Sequence, residues 1–160
     1  MKKIFAIMML STLSVAAFAQ SGRDIYNKYS DQEDVTAVYI SPAMFRLIGK
    51  IPDIQMDDSE VNFSSIIKSM SGFYIVSSEN PDITDKLAGD VKKYIDKGDF
   101  ELLMEAKEDG GVMRMYTAGD EKTVRSFVMI AKEEKEVTFI AFDGKINRDE
   151  METMIAEAAK

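Results

Sequence analysis

The sequence predicts an α+β domain built on a single mixed, mostly antiparallel sheet of about six strands, the last four a meander, with helices packed on it. Three observations lead there. Between Phe100 and Asp143, four strand-like runs follow one another with only turns between them. Two further runs, Val35 to Ile40 and Phe73 to Val76, come earlier and are set apart by helical patterns. In the longest helical pattern, Ile83, Leu87, Val91 and Ile95 recur every four positions, an apolar stripe that needs a sheet to lie on.

Each element has its own local reason. Ile25, Tyr26 and Tyr29 give a short amphipathic helix from Arg23 to about Tyr29, ended by the polar run Ser30 to Asp34. Val35 to Ile40 is rich in β-branched and aromatic residues, and Ser41-Pro42 follows as an N-cap with proline at the first helical position. The helix it opens carries Met44, Leu47 and Ile48 on its expected apolar face and stops near Gly49. Residues 51–61 read as a loop. Asn62 is expected to cap a helix with Phe63, Ile66, Ile67 and Met70 on one side, stopped by Gly72. Phe73 to Val76 is continuously apolar, as a well-buried strand is.

Asn80-Pro81 opens the long helix, and Gly98 closes it behind Lys97. The meander is expected as Phe100 to Lys107, Val112 to Thr117, Thr123 to Lys132 and Glu136 to Asp143, with Asp109-Gly110-Gly111 as its tightest turn. Asn147 caps a last helix with Met151, Met154, Ile155 and Ala158 on its apolar face. Strands separated by helices are expected to run parallel or to interleave, and the last four to be antiparallel neighbours.

The first 19 residues read differently. Lys2 and Lys3, an apolar stretch from Ile4 to about Leu13, and the small residues ending in Ala17-Phe18-Ala19 have the three parts of a secretory signal peptide, with cleavage between Ala19 and Gln20. Ser11, Thr12 and Ser14 interrupt the stretch, which is short of the roughly 20 apolar residues a membrane-spanning helix needs. The expectation is a chain exported to the periplasm or the exterior, with residues 20–160 as one α+β domain and no integral membrane segment after cleavage. That domain has 141 residues, enough to build a core by packing alone, and packing must suffice because the chain contains no cysteine. Losing Lys2 and Lys3 takes the formal charge from −8 to −10, which disfavours phosphate backbones and anionic headgroups as partners.

Two stretches, Tyr26-Asn27-Lys28-Tyr29 with Asp34 through Phe45 and the late Phe142-Asp143-Gly144-Lys145-Ile146, resemble a Bacteroidetes-type family of small exported proteins known only as a domain of unknown function. The resemblance covers essentially the whole chain after the signal. It implies a Gram-negative envelope address, and it brings no catalytic or cofactor residue with it.

Candidate chemistry is thin. With no histidine and no cysteine, the commonest general base, the usual zinc and copper ligands and all thiol mechanisms are missing. Asp53, Asp57, Asp58 and Glu60 could offer hard oxygens to calcium, but not in the order of an EF-hand loop, and Asp31, Glu33 and Asp34 read as a turn. Met104, Met113, Met115 and Met129 suggest either a soft-metal site or, more simply, core filling. Met113 and Met115 share a strand face, with Met104 opposite across the hairpin. Ser65-Ile66-Ile67-Lys68 matches Ser-x-x-Lys without the companion motifs of the serine acyl enzymes. A glycosidase-type carboxylate pair would need a sugar cleft, which is usually aromatic, and the chain has no tryptophan. No catalytic, metal or cofactor site is assigned.

What remains is apolar surface. If both faces of the sheet are apolar and helices cover only one, the other is a patch for a partner protein or an apolar ligand. The expected function is a noncatalytic envelope module that binds another protein, with a carrier of a small apolar molecule second and a histidine-free hydrolase third.

Overall fold

Along each strand side chains alternate between the two faces of a sheet, and the computed structural model, which describes residues 21–48 and 63–158, shows how helices are shared between those faces. The signal-peptide residues Ala17, Ala19 and Gln20 and the acidic loop residues Asp53, Asp57, Asp58 and Glu60 lie outside the described residues, as does the Asn62 cap. The elements are α1 (Gly22–Tyr29), β1 (Val35–Ile40), α2 (Pro42–Ile48), α3 (Phe63–Ser69), β2 (Met70–Ser78), α4 (Pro81–Lys97), β3 (Phe100–Glu108), β4 (Gly111–Gly119), β5 (Thr123–Lys132), β6 (Val137–Asn147) and α5 (Arg148–Ala158).

The six strands form one open sheet in the order β1-β2-β6-β5-β4-β3. The α+β class, the strand number and the closing meander are as predicted. The mixed character is not: every neighbouring pair is antiparallel, including β1 with β2 and β2 with β6. The chain between β1 and β2 holds α2 and α3 and returns the second strand in the opposite sense, so no parallel crossover forms. β6, last in sequence, sits between β2 and β5 and joins the early half of the chain to the meander.

Local signals account for the ends of the helices. The Met44 N–H donates to Ser41 Oγ (3.3 Å), the Asp82 N–H to Asn80 Oδ1 (3.0 Å) and the Glu150 N–H to Asn147 Oδ1 (3.2 Å), so three predicted caps satisfy helix N-termini. Gly98 ends α4 by donating to the carbonyls of Tyr94 and Ile95. Gly110 has φ +84° in the β3–β4 turn, a conformation that suits glycine.

Three local expectations need correction. In α2 it is Phe45 that is buried, whereas Met44 and Leu47 are among the most exposed large apolar residues described; seven residues make about two turns, too few for periodicity alone to fix which side faces inward. α3 stops at Ser69, and Met70 already belongs to β2, so Gly72 lies within a strand opposite Asp143 rather than at a helix end. There a side chain would overlap the ring of Tyr74. β6 runs on to Asn147, four residues beyond the expected Asp143, because Val124 and Thr123 of β5 continue to pair with Ile146 and Asn147.

The main core lies on one face, beneath α1 and α4. Ile25, Tyr29, Leu87, Val91 and Tyr94 of the helices meet Val76, Val128, Phe139 and Ala141 of the sheet. α1 sits so close that a Cβ on Gly22 would be 2.8 Å from the Cβ of Ala141. A smaller cluster on the other face joins Ile66, Val124, Phe142, Ile146 and Met151 at the end of the sheet reached by α3 and α5. Gly89 stands in the middle of α4, where glycine weakens a helix by about 1 kcal/mol relative to alanine.

Candidate functional site

Alternation in β2, β6 and β5 puts apolar residues on both faces. Tyr74, Val76, Phe139, Ala141 and Val128 point under the helices and are buried. Their sequence neighbours face the other way and form a row across the whole sheet. The register aligns Val38, Ile75, Ile140, Met129, Met115 and Met104, one residue from each of the six strands. The four inner members are half-buried, while Val38 and Met104 at the two edges are exposed. Five gaps between six strands, at about 4.8 Å each, make this row roughly 24 Å long.

The sheet is also covered unevenly from side to side. The principal helix contacts fall on β1, β2, β5 and β6. The β3–β4 hairpin projects beyond them, and its outer strand is exposed along most of its length. At its middle Leu102 is 55 %, Leu103 45 % and Met104 41 % exposed. A break in register between Leu102 and Met104 leaves Leu103 as the extra residue, a bulge of the kind that interrupts an edge. Beside this hairpin, on the helical face, an open groove of about 470 Å³ runs between α4 and β4–β5, with Val91, Ile95, Val112, Tyr116 and Ile130 among its walls.

Two polar nodes tie the helices to each other and to the sheet. Tyr29 Oη donates to the Asp90 carboxylate (2.6 Å), which also pairs with Lys28 (2.5 Å) and Lys93 (3.8 Å). Burial would raise the Asp90 pKa, but hydrogen bonds from Lys28 and Tyr29 outweigh it and hold the carboxyl below its usual range. In the second node Ser126 Oγ donates to Asp143 (2.8 Å) and lies 3.1 Å from Tyr94 Oη, and the Gly22 N–H donates to the same carboxylate. Here burial wins, and the Asp143 carboxyl is raised. Burial likewise pushes the Tyr74 phenol up to about 12, and Tyr74 stacks on Tyr39 at 5.4 Å. Both nodes do structural work: they join α1 to α4 and to β6.

The residues singled out from sequence fare unequally. Met104 lies opposite Met115 across the hairpin and Met113 one step along the same face, as expected, while Met129 flanks Met115 from the other side; Met113 itself is paired with Ala106 and Ala131. Their row continues through isoleucine and valine, so they belong to an apolar surface rather than to a set of donors. Ser65 and Lys68 lie on successive turns of α3, with Lys68 exposed. Asp34 has φ +60°, and its carbonyl accepts from Ser78 Oγ while its carboxylate accepts from Asn80, so this turn anchors the start of α4. Among the described residues, no group of three or more acidic side chains is placed to hold a metal ion, and no helix is long and apolar enough to cross a membrane.

The largest described cleft, about 710 Å³, is polar and includes Asp34, Glu79 and Glu136. Two of these carboxylates are already engaged, Asp34 by Asn80 and Glu136 by Ser77 and Thr138. Reading by sequence did not find the Asp90 and Asp143 nodes, because each joins residues far apart in the chain. The apolar row did have a signal: Phe127 and Met129 face away from Val128 and Ile130, and both pairs are apolar.

A family model, Domain of unknown function (DUF4252), matches residues 29–154, from the end of α1 into α5. The chain belongs to the DUF4252 family. The match takes in all six strands, so the row and the groove both lie within the DUF4252 domain. No curated protein and no solved structure matches the chain.

Proposed function

We propose that this DUF4252 protein is a noncatalytic, exported envelope protein that binds another protein through the less covered face of its sheet. The observation that carries the reading is the row Val38, Ile75, Ile140, Met129, Met115 and Met104, an apolar strip across six strands. Methionine suits such a surface because its unbranched thioether adapts to a partner's shape. An apolar centre inside a polar rim is the usual anatomy of an interface, and with a chain charge of −8 the fitting partner is apolar at its centre and basic at its edges. The signal-like residues 1–19 and the resemblance to Bacteroidetes-type exported proteins support a Gram-negative envelope as the setting.

A carrier of a small apolar molecule would need an enclosed pocket, and the most apolar cavity described is an open groove. A histidine-free hydrolase would need free carboxylates converging in a cleft, and those of the polar cleft are largely engaged.

The test is affinity capture from envelope extract with the wild-type chain and with Met115→Glu, which puts a charge in the middle of the row. Wild type is expected to retain a specific protein that Met115→Glu loses while keeping its circular dichroism spectrum. Equal capture by both chains, or none by either, rejects the reading. The mass of the native protein provides a separate check on export, since cleavage after Ala19 leaves a chain beginning at Gln20.

A further inference from the structure

We propose that Met104, Met113, Met115 and Met129 form a reversible oxidation site, at which a peroxide turns the outer half of the apolar row polar without unfolding the domain. As a control on binding it rests on the reading of that row as an interface. Four of the chain's 12 methionines meet here on one face of three adjacent strands. Met115 pairs with Met104 on one side and Met129 on the other, and Met113 is the next residue of β4 on that face. The main core beneath α1 and α4, by contrast, holds no methionine among the described residues. Gap-filling in a closed core, a common use of methionine, therefore does not account for where these sulfurs are gathered.

Access and chemistry agree. Met104 is 41 % exposed, and Met113, Met115 and Met129 are half-buried, so all four residues keep contact with solvent. The chain has no cysteine to compete for the oxidant. A thioether lone pair attacks one oxygen of hydrogen peroxide; the S–O bond forms as the O–O bond breaks, the sulfur gives up two electrons, and the other oxygen leaves as water. The product is a polar, chiral sulfoxide, which a dithiol-driven reductase returns to the thioether with release of water.

Position decides what the change does. A sulfoxide disrupts a packed core, and Met151, closed in with Ile66, Val124, Phe142 and Ile146, stands where it would do so. The four row methionines lie on the face away from Val128 and Phe139, toward the exposed β3 edge. There each sulfoxide can turn to water, so the fold stays and the surface loses its apolar character.

The experiment treats the folded chain with hydrogen peroxide and follows each methionine by peptide mass mapping. All work is done in a Met44→Leu background, because Met44 on α2 is also exposed. The four row methionines are expected to oxidise at least about tenfold faster than Met151, with the circular dichroism spectrum unchanged. The oxidised chain should elute earlier from a hydrophobic-interaction column and return to its first position after treatment with dithiothreitol and sulfoxide reductases for both epimers. Adding Met104→Leu, Met113→Leu, Met115→Leu and Met129→Leu keeps the row apolar but removes its sulfur, and peroxide should then leave elution unmoved. If that variant loses the wild-type spectrum, Met104→Leu with Met115→Leu replaces it and should lose most of the shift. Oxidation no faster than at Met151, unfolding on oxidation, a shift that reductases do not reverse, or an equal shift in the leucine variant overturns the proposal. These readouts need no partner, so they decide the site even if the untreated chain captures nothing and the binding reading fails. Where the untreated chain does capture a protein, equal capture by the oxidised chain rejects the regulation and leaves the binding reading standing.

Discussion

The two sides of the sheet use similar residues to opposite ends. In β6, Phe139 is fully buried under α4, while Ile140, its neighbour in the chain, is half-buried in the methionine row. Along the sheet the same contrast recurs: β2 and β6 are interior strands with helices against them, whereas β3 is an exposed edge bearing Leu102, Leu103 and Met104. Strand formation needs only pairing and alternation, and both regions have them. Stability is supplied where helices close over the strands, which leaves the remaining apolar surface available for contact.

Substitutions can break this comparison, and the largest effect is expected on the closed side. Phe139→Ala should cost about 3–5 kcal/mol, the range for emptying an aromatic site in a packed core, seen as a fall in the urea midpoint or loss of folding. Ile140→Ala, one residue on, should cost only about 1 kcal/mol, because less of its surface leaves water on folding. Equal costs would mean that the row is covered as fully as the core. Tyr29→Phe removes one hydrogen bond to Asp90 and should cost about 0.5–1.5 kcal/mol. Asp90, with its folded pKa lowered, contributes stability that is present above its unfolded pKa and lost as pH falls through the folded one, and acid titration of the melting temperature in wild type and Asp90→Asn should separate there.

Asp143 should behave in the opposite sense. Its folded pKa is raised, so the native state binds the proton more tightly than the unfolded chain, and stability falls as pH rises through the interval between the two values. Asp143→Asn, which keeps an acceptor for Ser126, should therefore melt slightly higher at neutral pH and lose that advantage in acid. The smallest effect belongs to the β3–β4 hairpin: Leu102→Thr should leave stability within about 0.5 kcal/mol, as surface changes usually do. A large loss there, measured by thermal melting, would mean that the hairpin is closed by a contact in solution.

How much of this was legible depended on range. Ser41, Asn80 and Asn147 act as caps because a cap is decided within three residues, and the Asp109-Gly110-Gly111 turn and the four-strand meander are equally local. The buried seam of α4 was readable from Ile83, Leu87 and Val91, since a long helix repeats its pattern often enough to define a side. α2 offered two turns, and periodicity put Met44, Leu47 and Ile48 rather than Phe45 on its inward side. The candidate surface was half legible: both faces of β5 and β6 read as apolar, but which face would be covered did not.

The sequence by itself determined the α+β class, the positions of the strands, the main caps and the absence of histidine and cysteine, because these follow from short-range periodicity and from which side chains are present. Only the tertiary structure decided that β6 inserts between β2 and β5, that every pair is antiparallel, and that Val38, Ile75, Ile140, Met129, Met115 and Met104 fall in one row. Register and helix placement are set by contacts between distant segments, where the gain from burying one face of each strand selects among pairings that local preference leaves equivalent.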